Sequence, residues 1–305
     1  MLPLVLRRLV SAIPTLFIVA TLSFVLMRLV PGGPFDREKK LPPAIQANVE
    51  RKYHLDEPVW KQYLLYMGSL ARGDFGPSYK YLGRSVNDIL REAFPVSLQL
   101  GLFSLVLSVL CGVGTGIVSA WRPGSWLDRG GGLFSVLGFS LPTFVLGSLL
   151  VFSLADSLHF FPPALWEGWR FTVLPVVTLS FAPAAFLARL CRASLLEVME
   201  KDFVRTARAK GLRESRVILR HALKNALTPV VSVVGPLTAG LVTGSFVVET
   251  IFSLPGMGKH FVTAVTNRDY PLIMGVTLMY TVLIILANMI VDLLYGILDP
   301  RVRVE

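Results

Sequence analysis

The chain has 305 residues, 53% of them hydrophobic and 16% charged, and a mean hydropathy of +0.61. These values exclude an ordinary soluble domain, in which about a quarter of residues are charged. The formal net charge of +10 reads as membrane-orientation signal and not as a nucleic-acid footprint, because much of it lies in the short segments between apolar stretches.

Six stretches are long and apolar enough to cross a hydrocarbon core about 30 Å thick: residues 9–30, 97–120, 133–155, 173–190, 226–248 and 272–295. The expected fold is therefore an all-α polytopic membrane protein with six transmembrane helices. The first stretch is too long for the hydrophobic region of a signal peptide, and no small-residue cleavage site follows it, so it reads as a retained span. With its short tail it forms a first unit, residues 1–30.

Residues 31–96 form an expected external subdomain between spans one and two. Asp56 and Pro58 open a helix there, with Trp60, Tyr63, Leu64 and Met67 along one face and Gly73 beyond its end. Ser85 and Asp88 resemble a capping box before a second short helix. The subdomain reads as a lid on the bundle or as a contact surface for an external partner, two roles that are compatible.

Residues 97–305 form the core unit. In it, Gly112-x-x-x-Gly116 and Gly240-x-x-x-Gly244 place small residues one turn apart, a pattern for close helix packing. Pro175 and Pro183 are expected to interrupt the fourth span. Asp292 is the one acid placed inside a span, where it either pairs structurally near the helix end or lines a path. Cys111 and Cys191 sit in or beside spans, which argues against a disulfide framework. The four histidines lack metal-ligand spacing.

The segment 191–225 breaks the apolar pattern with nine Lys/Arg and four Asp/Glu. A helix over about 198–210 ends at Gly211, which takes the left-handed conformation readily. Lys201, Arg205 and Arg208 share one of its faces, and Phe203 and Ala207 share another. A second helix follows, with Arg216, Arg220 and Lys224 on its basic side and Ile218, Ala222 and Ala226 on its apolar side. Such a hairpin suits docking to a cytoplasmic partner or to anionic headgroups. Placing both termini in the cytoplasm puts Arg7, Arg8, Arg122, Arg129, this segment, Arg301 and Arg303 inside. The external turns 156–172 and 249–271 then keep only Arg170, Lys259 and Arg268 as cations.

Arg205-Thr-Ala-Arg-Ala-Lys-Gly211 resembles the cytoplasmic "EAA" motif of binding-protein-dependent ABC importer permeases. Arg205 stands where the general pattern has Glu and Thr206 where it has its first Ala, while Ala207 and Gly211 match. The substitutions are those of the oligopeptide/dipeptide/nickel branch. Further segments agree: Pro31-Gly-Gly-Pro-Phe35, Gly73-Asp-Phe-Gly-Pro-Ser78, Glu249-Thr-Ile-Phe-Ser-Leu-Pro-Gly-Met-Gly258, Asn267-Arg-Asp-Tyr270 and Asp299-Pro-Arg-Val-Arg303. The resemblance covers essentially the whole chain and is closest to the B-type membrane subunits of oligopeptide permeases.

The resemblance implies a type I ABC importer permease fold in a bacterial inner membrane. It implies half of a heterodimer with a C-type subunit, served by two cytoplasmic ATPase subunits and an extracytoplasmic peptide-binding protein. ATP and magnesium would be used by the ATPases, with no cofactor held by this chain. Arg205, Thr206, Ala207, Arg208, Ala209, Lys210 and Gly211 would form the coupling element, and Glu249, Pro255 and Gly256 an external gate or merely a turn. No peptide-binding residue is legible. The same architecture serves dipeptide, glutathione or nickel uptake; a stand-alone channel or secondary transporter would lack the coupling motif. Ser253–His260 is the nearest approach to a phosphate-binding loop, but it lacks the first glycine and has His260 in place of Ser or Thr. The chain is therefore not expected to be an enzyme.

Overall fold

A computed structural model describes residues 2–30, 55–81 and 83–298, the backbone alone for 2–5 and 291–298. Pro31–Phe35 and Asp299–Arg303 lie outside the described residues, as does the side chain of Asp292. The helices are α1 (Leu2–Leu29), α2 (Val59–Leu70), α3 (Val86–Trp121), α4 (Trp126–Ser140), α5 (Thr143–Leu150), α6 (Trp169–Met199) and α7 (Asp202–Ala209). A π-helix, Val151–Ser157, prolongs α5. The run we call α8 comprises Glu214–Arg216, a π-helical stretch Val217–Ala222 and Leu223–Ala226. Then come α9 (Thr228–Val242), α10 (Phe246–Ile251), α11 (Met257–Asn267) and α12 (Tyr270–Leu298). Among the described residues there is no strand, only an isolated bridge between Pro77 and Ser85.

The bundle is organised by α3 and α6, which run parallel. Ser104 Oγ donates to Val176 O at 3.4 Å and Ser108 Oγ to Ser180 O at 3.0 Å. A Cβ on Gly112 would lie 2.6 Å from Ala184 O, and one on Gly116 would lie 2.8 Å from Ala188 O. Each partner is 72 residues on, so a serine or glycine at every fourth residue of α3 lets the two backbones approach in a single register. The second small-residue pair behaves differently. Gly240 faces open space, and Gly244, at φ +85°, follows the end of α9 and lies against Ser97 of α3 and the Glu249 carboxyl.

Two parallel helices require the chain to return between them, and the return is bent. The axes of α4 and the α5 rod meet at 108°. Leu141 is extended and Pro142 starts the next helix at ψ 140°, because a residue before proline is driven out of the helical region. Both halves nevertheless climb α6: Asp128 pairs with Arg192, Ser135 Oγ with Ala185 O, and Gly147 abuts Thr178, while Ala155 shares a cluster with Leu174. From Arg192 to Leu174 is about 27 Å of helix, close to one hydrocarbon thickness. The expected span 133–155 is thus a broken one. Beside it stand five other candidate spans among the described residues.

Pro175 and Pro183, expected to interrupt their span, lie inside the continuous 31-residue α6. Flanking helices enclose that stretch, and each proline removes only one N–H from a ladder held on both sides. The Ser85–Asp88 capping box is present, but the helix it opens runs on without a break as the 36-residue α3. In α2 the inner face carries Gln62, Tyr63 and Tyr66, while Trp60 and Leu64 are exposed. The aromatics of α2 pack on Phe24 of α1, and Tyr63 and Thr21 hydroxyls bond at 2.8 Å.

The stripe sets apart two neighbouring glycines of α3. Gly112→Ala is expected to destabilise by about 1–3 kcal/mol through overpacking. Gly114→Ala, facing open space, is expected to gain up to about 1 kcal/mol of helix propensity. Thermal unfolding of both variants in detergent checks the contrast; equal midpoints would contradict the register.

Candidate functional site

At one end of the α3–α6 pair, α6 runs on to Met199 and the chain turns at Glu200–Lys201 into α7. The helix expected from 198 therefore begins at Asp202. Gly211 has φ +73° and lets the chain reverse into α8. Val204 and Ala207 are buried in a cluster with Ala120 of α3, Leu195 and Val198 of α6, and Val217, Ile218, Ala222 and Ala226 around α8. The predicted apolar side of α8 is the buried one. Of the expected pair Phe203 and Ala207, only Ala207 enters the core; Phe203 stays 43% exposed.

The outward side of α7 presents Phe203, Arg205, Thr206, Arg208, Ala209 and Lys210. Arg208 donates from Nε at 3.2 Å and Nη2 at 2.7 Å to the two carboxyl oxygens of Glu214. This planar fork fastens α7 to α8. It raises the guanidinium pKa further and holds the Glu214 carboxyl below its ordinary range. Arg205 stands 3.6 Å from Asp202, and Lys201 3.0 Å from Glu197. Lys201, Arg205 and Arg208, expected to share a face, are exposed but answered by three separate acids. The result is a short helix held on its core by apolar burial and an ion pair, with a mixed aromatic and charged face outward.

At the opposite end of α3 lies Glu249, in α10 and fully buried. Ser97 Oγ of α3 donates to its Oε1 at 2.9 Å, and the Lys259 N–H of α11 donates to its Oε2 at 2.8 Å. Met257 N–H in turn donates to Ser97 Oγ at 2.8 Å. Space for the carboxyl comes from glycine: a Cβ on Gly256 would lie 2.4 Å from the Glu249 carboxyl carbon, and one on Gly244 would lie 2.5 Å from Oε1. Pro255 is exposed at the tip of the turn. The carboxyl group fills the first turn of α11, where helix amides attract an anion. The loop 253–260 is therefore closed on its own glutamate and leaves those amides to no phosphate.

A second buried acid secures the same end. Asp269 accepts hydrogen bonds from Ser78 Oγ and from the Tyr79 N–H at 3.1 Å, and its Oδ1 faces the Leu272 N–H at 3.4 Å. Gly73–Ser78 and Asn267–Tyr270, separate in sequence, are thus one structural unit. Sequence reasoning missed Ser97 and Asp269 as anchors; a serine or aspartate whose partner lies 152 or 191 residues away leaves no local signal. Among the described residues no group of three or more His, Cys, Asp or Glu is placed to hold a metal ion.

The family model for the binding-protein-dependent transport system inner membrane component matches residues 112–304, and the model for the N-terminal part of such components matches 1–101. The oligopeptide transport system permease protein OppB of Haemophilus influenzae is 48% identical over 305 residues, covering 99% of this chain and 100% of that one. The dipeptide transport system permease protein DppB of Bacillus subtilis is 46% identical, covering 95% and 94%. Among solved structures, the MetNI methionine ABC transporter in an inward-facing conformation superposes with a TM-score of 0.56 at 17% identity, over 69% of this chain and 96% of that one. An amino acid ABC transporter solved with histidines gives 0.55 at 14%, over 68% and 93%. At such identities the likeness establishes the fold, that of ABC importer membrane subunits.

Glu249→Ala would leave the Lys259 N–H and the Ser97 hydroxyl buried without an acceptor, at a cost of about 3 kcal/mol. Gly256→Ala should destabilise the native chain more than it destabilises the Glu249→Ala variant, since the added methyl collides with the carboxyl group. Unfolding midpoints of the four-member cycle test this, and simple additivity would contradict the cage.

Proposed function

The chain belongs to the family of binding-protein-dependent transport system inner membrane components, and on that premise we propose that it is a membrane subunit of an ATP-driven importer of oligopeptides. It is non-catalytic: it supplies half of the translocation pathway, and hydrolysis of ATP with magnesium belongs to partner ATPases. The observation that carries the cargo is the 48% identity to OppB over its full length. The 46% identity to DppB favours dipeptides as a second reading.

Its partners are a C-type permease subunit, two cytoplasmic ATPases and an extracytoplasmic peptide-binding protein. Both termini lie in the cytoplasm of a bacterial cell, with a first span in residues 1–30, an external subdomain 31–96 and a core 97–305 that holds spans two to six. The orientation is supported by position: Arg122, Arg129 and the α7–α8 segment stand at one end of α3, and Phe24 of α1 packs at the other, which puts Arg7 and Arg8 about 25 Å back towards α7.

Arg205–Gly211 is the coupling element. Its outward face enters a cleft on an ATPase, and its buried Ala207, with Val204 just before it, passes the movement to α3, α6 and α8. Closure of the ATPases on ATP then draws the two permease subunits together at this end and opens the cavity outward. At the far end of α3, Ser97 reaches the Glu249–Gly256 turn, which with Pro255 acts as the external gate. ATP and peptide thus bias one two-state element from its two ends.

Gly211→Asp places a side chain where φ is +73° and should misdirect α7 without unseating its apolar anchors. In vesicles containing the whole transporter, peptide uptake should fall about tenfold or more while ATP hydrolysis persists. Wild-type uptake at normal expression would refute the coupling role. Competition between dipeptides and longer peptides for uptake separates the two cargo readings.

A further inference from the structure

A cavity of about 260 Å³ opens between α1, α2, the loop 74–79 and the start of α12, at the end of the bundle opposite α7. Arg28, Gln62, Tyr66 and Asp74 supply its main polar lining. Gln62 is 8% exposed, and its amide orientation is fixed because Nε2 donates to two carbonyl oxygens, Leu55 O at 3.2 Å and Glu57 O at 2.7 Å. Among the described residues its Oε1 is left buried with no donor, and the Tyr66 hydroxyl is likewise buried without a partner. Tyr63, one turn earlier, does have one in Thr21. Buried polar atoms without partners are uncommon in folded proteins and point to something that completes them.

The charges lining the cavity are also incomplete. Arg28 lies over the Phe24 ring at 5.2 Å, and the Asp74 carboxyl receives the Gly76 N–H at 2.9 Å; among the described residues neither forms an ion pair. A cation and an anion therefore line one cavity without meeting, beside an acceptor that needs an N–H. Burial raises the Tyr66 pKa to about 12, so its phenol stays protonated and able to donate. Arg28 belongs to the last turn of α1, and Leu22, Val25, Leu26 and Leu29 beside it are exposed, a surface suited to acyl chains.

We propose that this cavity binds a zwitterion carrying a primary ammonium and an anionic group, supplied by a phosphatidylethanolamine headgroup. The ammonium N–H groups are donated to Gln62 Oε1 and Asp74, and the phosphate accepts from Arg28 and Tyr66. Phosphatidylcholine has the same charges but no N–H to donate, and phosphatidylglycerol has no cation.

The importer complex, equilibrated in nanodiscs with equal amounts of the three lipids, is released and its bound lipid counted by native mass spectrometry. Phosphatidylethanolamine should be retained over phosphatidylcholine by about tenfold, the worth of hydrogen bonds to a charged group. Asp74→Asn keeps the acceptor for the Gly76 N–H, and Arg28→Gln gives up only a ring contact; each should reduce the retention about tenfold. Tyr66→Phe should reduce it by a smaller factor. Equal retention of the ethanolamine and choline lipids overturns the proposal and needs no variant to do so. Unchanged retention in Asp74→Asn and Arg28→Gln overturns it too. Displacement of the lipid by millimolar dialanine would transfer the site from a lipid to a soluble zwitterion. None of these readouts involves transport, so their failure would leave the importer reading intact.

Discussion

Ser104, Ser108, Gly112 and Gly116 hold α3 against the carbonyls of Val176, Ser180, Ala184 and Ala188, and that one register constrains the remainder of the bundle. In lipid, apolar side chains gain nothing by leaving one another for a neighbouring helix, so close backbone approach and interhelical hydrogen bonds supply the attraction. Because the two helices run parallel, the intervening chain must return across the same thickness. Because they touch so closely, the return has to lie outside them, against α6. The bend at Leu141–Pro142 lets α4 follow one part of α6 while the α5 rod follows the next. At both ends α3 and α6 outrun the hydrocarbon, and the elements proposed for coupling and gating are attached to those overhangs.

The two ends are fastened by different physics. At the α7 end the bond is apolar: nine buried residues from α3, α6, α7 and the α8–α9 region make one cluster, and the charged groups stay in contact with water. At the other end it is polar, with Glu249 and Asp269 wholly buried. A buried carboxyl is costly unless donors surround it. Here the donors are backbone amides at the starts of α11 and α12 and in the loop at Tyr79, together with the hydroxyls of Ser97 and Ser78, groups that themselves need acceptors. Each acid thus satisfies elements from distant parts of the chain, and loosening either would release several at once.

Hydropathy made the spans legible, and the Arg205–Gly211 pattern made the reversal at Gly211 legible, because both are local. Contacts between distant segments were not. Gly112-x-x-x-Gly116 and Gly240-x-x-x-Gly244 have the same spacing, yet both glycines of the first pack against α6, whereas Gly240 faces open space and Gly244 sits at a helix break beside Ser97 and Glu249. Proline was ambiguous for the same reason: Pro142 breaks a helix, whereas Pro175 and Pro183 remain inside α6. In α2 the expected face keeps Tyr63, but Gln62 and Tyr66 turn inward where Trp60 and Leu64 were expected, since what matters there is the aromatic surface of Phe24 and not the helix's own composition. The role of Ser97 depends on a glutamate 152 residues away, which no window of sequence contains.

The same geometry limits how such a subunit can move. Sliding α3 along α6 would drive the flanking side chains into carbonyls that now meet only glycine and serine, so the pair moves as one body. Flexion is left to joints where the helical ladder already stops: Leu141–Pro142, Thr243–Ser245 and Glu200–Lys201. Two of these flank the moving parts proposed above, the turn into α7 and the break before α10. A displacement imposed on α7 would therefore travel the length of the α3–α6 pair almost undiminished, over roughly 35 Å from Ala120 to Ser97. It would emerge as a pull on the Ser97 hydroxyl, which holds both the Glu249 carboxyl and the Met257 amide. An outward opening then requires Ser97, Glu249 and the start of α11 either to move together or to exchange partners. Because all three are buried and mutually bonded, moving together costs less than separation.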